Sequence, residues 1–181
     1  MIFYIQSEVD HLLNELVNVS TKLDYKNMYY NPDNATSSST KTNQIKTDLQ
    51  QYGIKEGSLK LDICQKMCDV FNDDIKIKTV GFVKIESNKV IPKHIDNKQN
   101  RSTIFCVPLI PEFKNYQPPT FYDFTFSWQD NPFFMPTEMP HSVENNNYDR
   151  INFQIGFGYP IEELKSLYEN KKLFKNTYLK V

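Results

Sequence analysis

The sequence predicts a mostly β domain with flanking helices, an α+β arrangement whose short strands build a sandwich, jelly roll or barrel. Three observations predict it. The hydrophobic period is helical before Asp74 and strand-like after it, with Ile75, Ile77, Val83 and Ile85 alternating against Lys76, Lys78 and Lys84. The second half is cut at strand-length intervals by turns bearing Asn and Pro, at Asn97 to Asn100, Pro118-Pro119, Asn131-Pro132 and Asn145-Asn146-Asn147. Pro160 followed by Ile161-Glu162-Glu163 has the Pro and the acidic first turn of a helix start.

Taken in order, Ser7 with Asp10 three residues on has the form of a capping box, and Val9, Leu12, Leu13, Leu16 and Val17 then recur on one face. This predicts a helix to about Leu23. The chain is polar from Asp24 to Gly57, with a turn at Asn31-Pro32-Asp33-Asn34 and a Ser37-Ser38-Ser39-Thr40 run, and reads as a long surface loop holding a short helix near Gln44 to Gln51. Ser58 is placed to cap a second helix striped by Leu59, Ile63, Met67 and Phe71. Further strands are expected at Lys89 to Lys93, Thr103 to Ile110, Thr120 to Trp128, Phe133 to Met139 and Asp149 to Phe157. The organisation is one domain over 1–181: a helical support region 1–74, a β core 75–159 and a C-terminal helix within 160–181, with Lys171 and Lys172 at its end.

Composition sets the outer bounds. With 181 residues, 39% of them hydrophobic and 14% aromatic, the chain can bury one core. A net charge of -1 gives no general pull toward nucleic acid or anionic lipid, so neither a nucleic-acid nor a membrane partner is expected. No apolar run is long enough to span a bilayer and no signal-peptide pattern opens the chain, which predicts a cytoplasmic location. Cys64, Cys68 and Cys106 are an odd, sparse set that fits a reducing compartment, and Cys64-x3-Cys68 lacks a second Cys/His pair and reads as buried thiols.

The chemistry is sought among the histidines and arginines, which are few. Of 21 basic residues only Arg101 and Arg150 are arginines, against a Lys-rich background, so each marks a place where a planar fork is of use. His94-Ile95-Asp96 puts two metal-capable side chains on one face of an extended backbone, and His141 offers a third from a facing strand. Two His and one carboxylate leave three octahedral positions open, which is the facial triad of non-haem Fe(II) oxygenases. Nine residues after His141, Arg150 opens an alternating strand with Arg150, Asn152 and Gln154 on one face and Ile151, Phe153 and Ile155 on the other. An inward guanidinium suits a carboxylate, so metal and Arg150 read as two acid-binding points.

At these residues, over roughly Val80 to Phe157, the sequence resembles the Fe(II)/2-oxoglutarate-dependent oxygenases, whose pattern is His-x-Asp, a distal His, then an Arg about ten residues on. Met139-Pro140-His141-Ser142-Val143-Glu144-Asn145 and Asp149-Arg150-Ile151-Asn152-Phe153 look most like the aspartyl/asparaginyl β-hydroxylase-like branch and small phage-encoded oxygenases. The resemblance implies a double-stranded β-helix (jelly roll, cupin-like) core. It implies Fe(II) on His94, Asp96 and His141, and the C5 carboxylate of 2-oxoglutarate on Arg150. Asn152 stands where the family often has Ser after Arg-x, and its amide can donate the same bond; Arg101 is a further candidate for cosubstrate contact, or a solvated loop arginine. The implied activity uses O2, with ascorbate as a stimulant, to hydroxylate a C–H bond of a protein side chain or small polar molecule, releasing succinate and CO2.

Other readings keep their place beside this one. His94 and Asp96 alone would be a surface ion pair, and Phe121, Phe124, Phe126, Trp128, Phe133 and Phe134 are core or a substrate platform. Tyr29-Tyr30 and the loop after them are a lid or a plain excursion. The alternative function is a non-catalytic β-helix module, a phage structural or binding component that keeps the fold alone. A cupin-type metalloenzyme without 2-oxoglutarate would have no use for Arg150.

Overall fold

The structure, a computed structural model, describes residues 1–30, 45–55, 61–96, 102–111, 115–144 and 147–175. Its strands are β1 (Phe3–Tyr4), β2 (Lys26–Tyr30), β3 (Ile45–Lys55), β4 (Ile77–Ile85), β5 (Val90–His94), β6 (Thr103–Ile110), β7 (Thr120–Phe121), β8 (Phe133–Pro136), β9 (His141–Glu144) and β10 (Arg150–Phe157). The helices are α1 (Leu13–Ser20), α2 (Asp62–Asp69) and α3 (Ile161–Glu169). Seven strands form one sheet in the order β1-β8-β6-β10-β4-β3-β2, and β5-β9-β7 form a second. Every pairing is antiparallel, and the strand order jumps across the sequence, as a jelly roll requires.

Alternation decides what each face of the large sheet meets. On β10, Ile151, Phe153, Ile155 and Phe157 join one core cluster with Phe82, Phe105 and Phe134 and with Leu16, Met67 and Leu164 from the three helices. The helices therefore cover this outer face, α1 against β6, α2 against β4 and α3 against β8. The opposite face gives Ile104, Cys106, Phe133 and Met135 to a second cluster, which Phe121 of the small sheet and Tyr116 complete. This inner cluster lies between the sheets, and the polar face of β10 looks toward it.

Several expectations are corrected. The supposed loop from Asp24 to Gly57 contributes β2 and β3, so the first 74 residues are more than a helical support. β3 runs along β4 from Leu49↔Ile85 to Lys55↔Thr79, and this ladder satisfies a backbone whose polar composition argued against a strand. Tyr29 and Tyr30 are part of β2, and the turn and Ser/Thr run of 31–44 lie outside the described residues. The ladder is close at Gly81, where a Cβ would stand 2.6 Å from the Tyr52 carbonyl oxygen, so the sheet there requires glycine.

Ser7 makes no side-chain cap; its carbonyl accepts from Asp10, and a single 3-10 turn at Asp10–Leu12 leads into α1, which ends at Ser20. Ser58 and Leu59 fall outside the described residues, and α2 starts at Asp62. The strand expected over Thr120 to Trp128 stops at Phe121, while Phe124, Phe126 and Trp128 pack as half-buried rings against the inner cluster without a ladder. The strand expected to reach Met139 ends at Pro136, and a separate β9 starts at His141. At the C-terminus the helix ends by Asn170, and Lys171 takes a left-handed φ of 57°. No helix among the described residues is long and apolar enough to cross a membrane.

Candidate functional site

His94 closes β5 and His141 opens β9, and the ladder places them directly opposite each other. Their ring centroids are 4.3 Å apart with planes inclined by 51°. Asp96 follows at once, with one carboxylate oxygen 3.2 Å from His94 Nε2, and one ligand atom from each of the three residues lies within 4.8 Å of the others. Among the described residues this is the group of His, Cys, Asp and Glu side chains close enough to share an ion; Cys64 and Cys68 join no such group.

Backbone carbonyls orient both rings in the same way. His94 Nδ1 lies 2.7 Å from the Pro92 carbonyl and His141 Nδ1 lies 2.9 Å from that of Met139, each two residues upstream. A carbonyl can only accept, so each Nδ1 carries the proton and donates, which leaves Nε2 with a lone pair in the neutral ring. His94 Nε2 lies 3.2 Å from a carboxylate oxygen, so it faces that oxygen with a lone pair when the ring is neutral and donates to it when the ring is protonated. That contact favours a cation between them, and about 3 Å is the separation of neighbouring ligand atoms on an ion with bonds near 2.1 Å. The Asp96 amide donates to the Thr137 carbonyl at 2.8 Å and the Thr137 amide to that of Ser102 at 3.0 Å, which anchors the chain beyond β5. His141 is buried at 3% exposure, whereas the side chains of His94 and Asp96 keep 32% and 23%, so the group opens to solvent on one side.

Arg150 begins β10 and is 3% exposed. Its Nη1 donates to the Gln117 carbonyl at 2.7 Å, its Nη2 donates to the Tyr116 hydroxyl, and its guanidinium carbon lies 4.3 Å from the centre of the Tyr116 ring. The chain itself accepts one hydrogen bond from each Nη atom, and Nε has no partner among the described residues. No carboxylate pairs with Arg150 among the described residues. Asn152 and Gln154 share its face, Asn152 reaching the Tyr116 hydroxyl and Gln154 the Cys106 thiol. Arg101 lies outside the described residues.

Sequence reasoning missed Tyr116 and Gln117. They sit in Asn115-Tyr116-Gln117-Pro118-Pro119, read only as a turn, and the available signal was a large aromatic residue before two prolines. Tyr116 is buried and stacks on Trp128 at 5.2 Å, so a layered Arg150–Tyr116–Trp128 stack runs outward from the strand. Burial pushes the Tyr116 phenol far above its usual range despite the nearby guanidinium, so it remains protonated. Burial also raises the Cys106 thiol to about 11, against the opposing effect of Arg150 and the Tyr116 hydroxyl.

The metal-capable group and Arg150 border the same inner cluster. Phe121, which belongs to it, lies 5.5 Å ring to ring from His141, and Tyr116, which also belongs to it, lies under Arg150. Phe134 faces the other way, into the helix-covered core.

No protein-family model and no curated protein matches the sequence. Solved structures do match. An oxidoreductase of the 2OG-Fe(II) oxygenase family from Burkholderia pseudomallei superposes with a TM-score of 0.54 at 9% identity, over 88% of this chain and 86% of that one. A viral collagen prolyl hydroxylase from Paramecium Bursaria Chlorella virus-1, solved as a 2OG complex, gives a TM-score of 0.48 at 12% identity, over 86% of this chain and 94% of that one. The first likeness settles the architecture: the chain has the jelly-roll fold of a 2OG-Fe(II) oxygenase-family protein, the fold its sequence resemblance implies.

Proposed function

We propose that this protein is a non-haem Fe(II)- and 2-oxoglutarate-dependent oxygenase that hydroxylates a C–H bond of an amino-acid side chain or small polar substrate. The balance is one 2-oxoglutarate and one O2 consumed, with one oxygen atom passing to the substrate and one to succinate, and CO2 released. The observation that carries this reading is a buried guanidinium without a carboxylate partner among the described residues, bordering the inner cluster that also meets a His-Asp-His group. An uncompensated buried cation is costly, and an acid spanning from the metal to Arg150 would neutralise it.

The donor set suits the group it would hold. Nε2 of His94 and of His141 and one Asp96 oxygen would ligate Fe(II), and Arg150 with Asn152 would take the far carboxylate of 2-oxoglutarate. Bound iron would supply the activation of dioxygen that no side chain can provide. The chain's own part is orientation and exclusion. The Pro92 and Met139 carbonyls fix the imidazole tautomers, and the Thr137 carbonyl holds the backbone at Asp96. Phe121 and Phe124, stacked at 4.6 Å, wall the His141 side with apolar surface and keep water from it.

The test is iron-dependent conversion of 2-oxoglutarate to succinate by the purified chain with ascorbate, with and without host lysate, followed by mass spectrometry for a gain of one oxygen. No iron-dependent succinate in either case would overturn the proposal and leave the non-catalytic module.

A further inference from the structure

Of the three metal-capable residues, Asp96 is the one outside the ladder of the small sheet. The β5–β9 pairing ends at His94↔His141, and Asp96 lies two residues past it. Its amide crosses to the large sheet and donates to the Thr137 carbonyl at 2.8 Å. The Thr137 amide donates to the Ser102 carbonyl at 3.0 Å, and the Ser102 amide to that of Phe157 at 2.9 Å. These bonds carry the β8–β6 and β6–β10 ladders one step past the Thr103↔Pro136 and Thr103↔Phe157 pairs. The small sheet thus presents both imidazoles, while the large sheet fixes the backbone that carries the carboxylate.

The carbonyl that receives the Asp96 amide belongs to the peptide unit joining Thr137 to Glu138, just past the end of β8 at Pro136. A peptide unit beyond a strand end keeps its orientation only where something holds both of its sides. Ser102 does this. Its carbonyl accepts from the Thr137 amide before the unit, and its Oγ donates to Glu138 Oε1 after it, at 2.7 Å. Thr137 is fully buried, whereas Glu138 is exposed, so water alone could satisfy that carboxylate and no core packing requires the bond. What the bond does fix is the direction of the Thr137 carbonyl. A metal ligand has to be held to within roughly 0.5 Å of its working position, and partners beyond the ligand shell supply that precision.

We propose that Ser102 and Glu138 are positioning residues for Asp96: their side-chain bond fixes the Thr137–Glu138 peptide unit, whose carbonyl sets where the carboxylate stands relative to His94 and His141. The inference rests on the oxygenase reading above and deepens it. Both residues act through Asp96 and not on the metal itself. The spacing between the two sheets thereby becomes part of the metal site, because the imidazoles belong to one sheet and the anchor of the carboxylate to the other.

A double-mutant cycle on metal affinity tests it. Fe(II) and, as a spectroscopic probe, Co(II) are titrated anaerobically into the metal-free chain, and hydrogen exchange of the Asp96 amide is followed before metal is added. Ser102→Ala and Glu138→Ala should each weaken both metals about three- to tenfold, alter the Co(II) d–d bands and speed exchange at Asp96. The double variant should be no weaker than either single one. Glu138→Gln, whose amide oxygen still accepts from Ser102, should keep wild-type affinity, which separates the clamp from a plain effect of negative charge near the metal. Affinity for 2-oxoglutarate at saturating iron should be the same in all of them, whereas general loosening of the fold would lower it too. Glu138 is exposed, so its two variants decide the matter even where Ser102→Ala is unstable. Wild-type metal affinity and Asp96 exchange in the alanine variants, or additive losses in the double variant, overturn the inference and leave the oxygenase reading intact. Equal losses in Glu138→Gln and Glu138→Ala overturn it as well. Failure of the wild type to bind Fe(II) overturns both.

Discussion

His94 and His141 face each other across the β5–β9 ladder with ring centroids 4.3 Å apart, each ring held by the carbonyl two residues before it. Two strands thus present two equivalent lone pairs to one point. Asp96, two residues from His94 and 3.2 Å from its Nε2, adds the charge that turns a pair of imidazoles into a site for a divalent ion.

Asp96→Ala should abolish stoichiometric Fe(II) binding and lower succinate formation at least 100-fold. The fold should persist, because Asp96 is partly exposed and the large core lies on the other side of the main sheet. A melting temperature within a few degrees of wild type would establish that. Undiminished turnover in a folded Asp96→Ala protein would show that the ligand set is wrong.

Arg150→Ala should raise the apparent KM for 2-oxoglutarate by two or more orders of magnitude, through loss of charge-assisted bonds in a desolvated pocket. Arg150→Lys should fall nearer Ala than charge alone suggests. One ammonium cannot replace Nη1 at the Gln117 carbonyl, Nη2 at Tyr116 and Nε at the acid together. Iron affinity measured in parallel should barely change. Equal cosubstrate affinity in wild type and Arg150→Ala would remove Arg150 from the site.

What was legible in the sequence follows from how local each signal is. Alternation along β10 is a property of consecutive residues, so the split of Arg150, Asn152 and Gln154 from Ile151, Phe153 and Ile155 could be read directly. His94 and Asp96 share a face for the same reason. β3 was unreadable because its stability comes from Leu49 to Lys55 pairing with β4, a contact across about 30 residues of sequence that polar composition conceals. Tyr116 and Gln117 were unreadable for a related reason. The two prolines mark their turn, but nothing local hints that β10 will bring a guanidinium beneath, or that the Gln117 carbonyl and the Tyr116 hydroxyl will hold its Nη atoms.

Gly81→Ala should destabilise the fold by about 1–3 kcal/mol, since the new Cβ would stand 2.6 Å from the Tyr52 carbonyl oxygen and backbone must shift to admit it. β4 lies between β3 and β10, so the shift should also loosen the strand that carries Arg150. Chemical denaturation gives the stability change, and hydrogen exchange of the β10 amides tests its transmission. A neutral substitution would mean that the β3–β4 approach is looser than the ladder indicates.

Asp149, beside Arg150, ties the start of β10 to the end of β4: one oxygen accepts from the Ser87 amide at 3.1 Å and the other pairs with Lys84 at 3.0 Å. Partial burial pushes its pKa up, but the Lys84 ammonium and the Ser87 amide together hold it below its ordinary value of 3.8. A carboxylate with a depressed folded-state pKa binds fewer protons folded than unfolded. Its stabilising contribution is therefore complete above the unfolded pKa and is lost as pH falls through the lower folded one. Wild type should be more stable than Asp149→Asn by less than about 1 kcal/mol at neutral pH, because the side chain is nearly half exposed and screened. The difference should shrink below about pH 4 and with added salt. Urea denaturation of both proteins from pH 7 down to pH 3 measures it, and a difference that grows on acidification would show that the Lys84–Asp149 link does not hold this end of the strand pair.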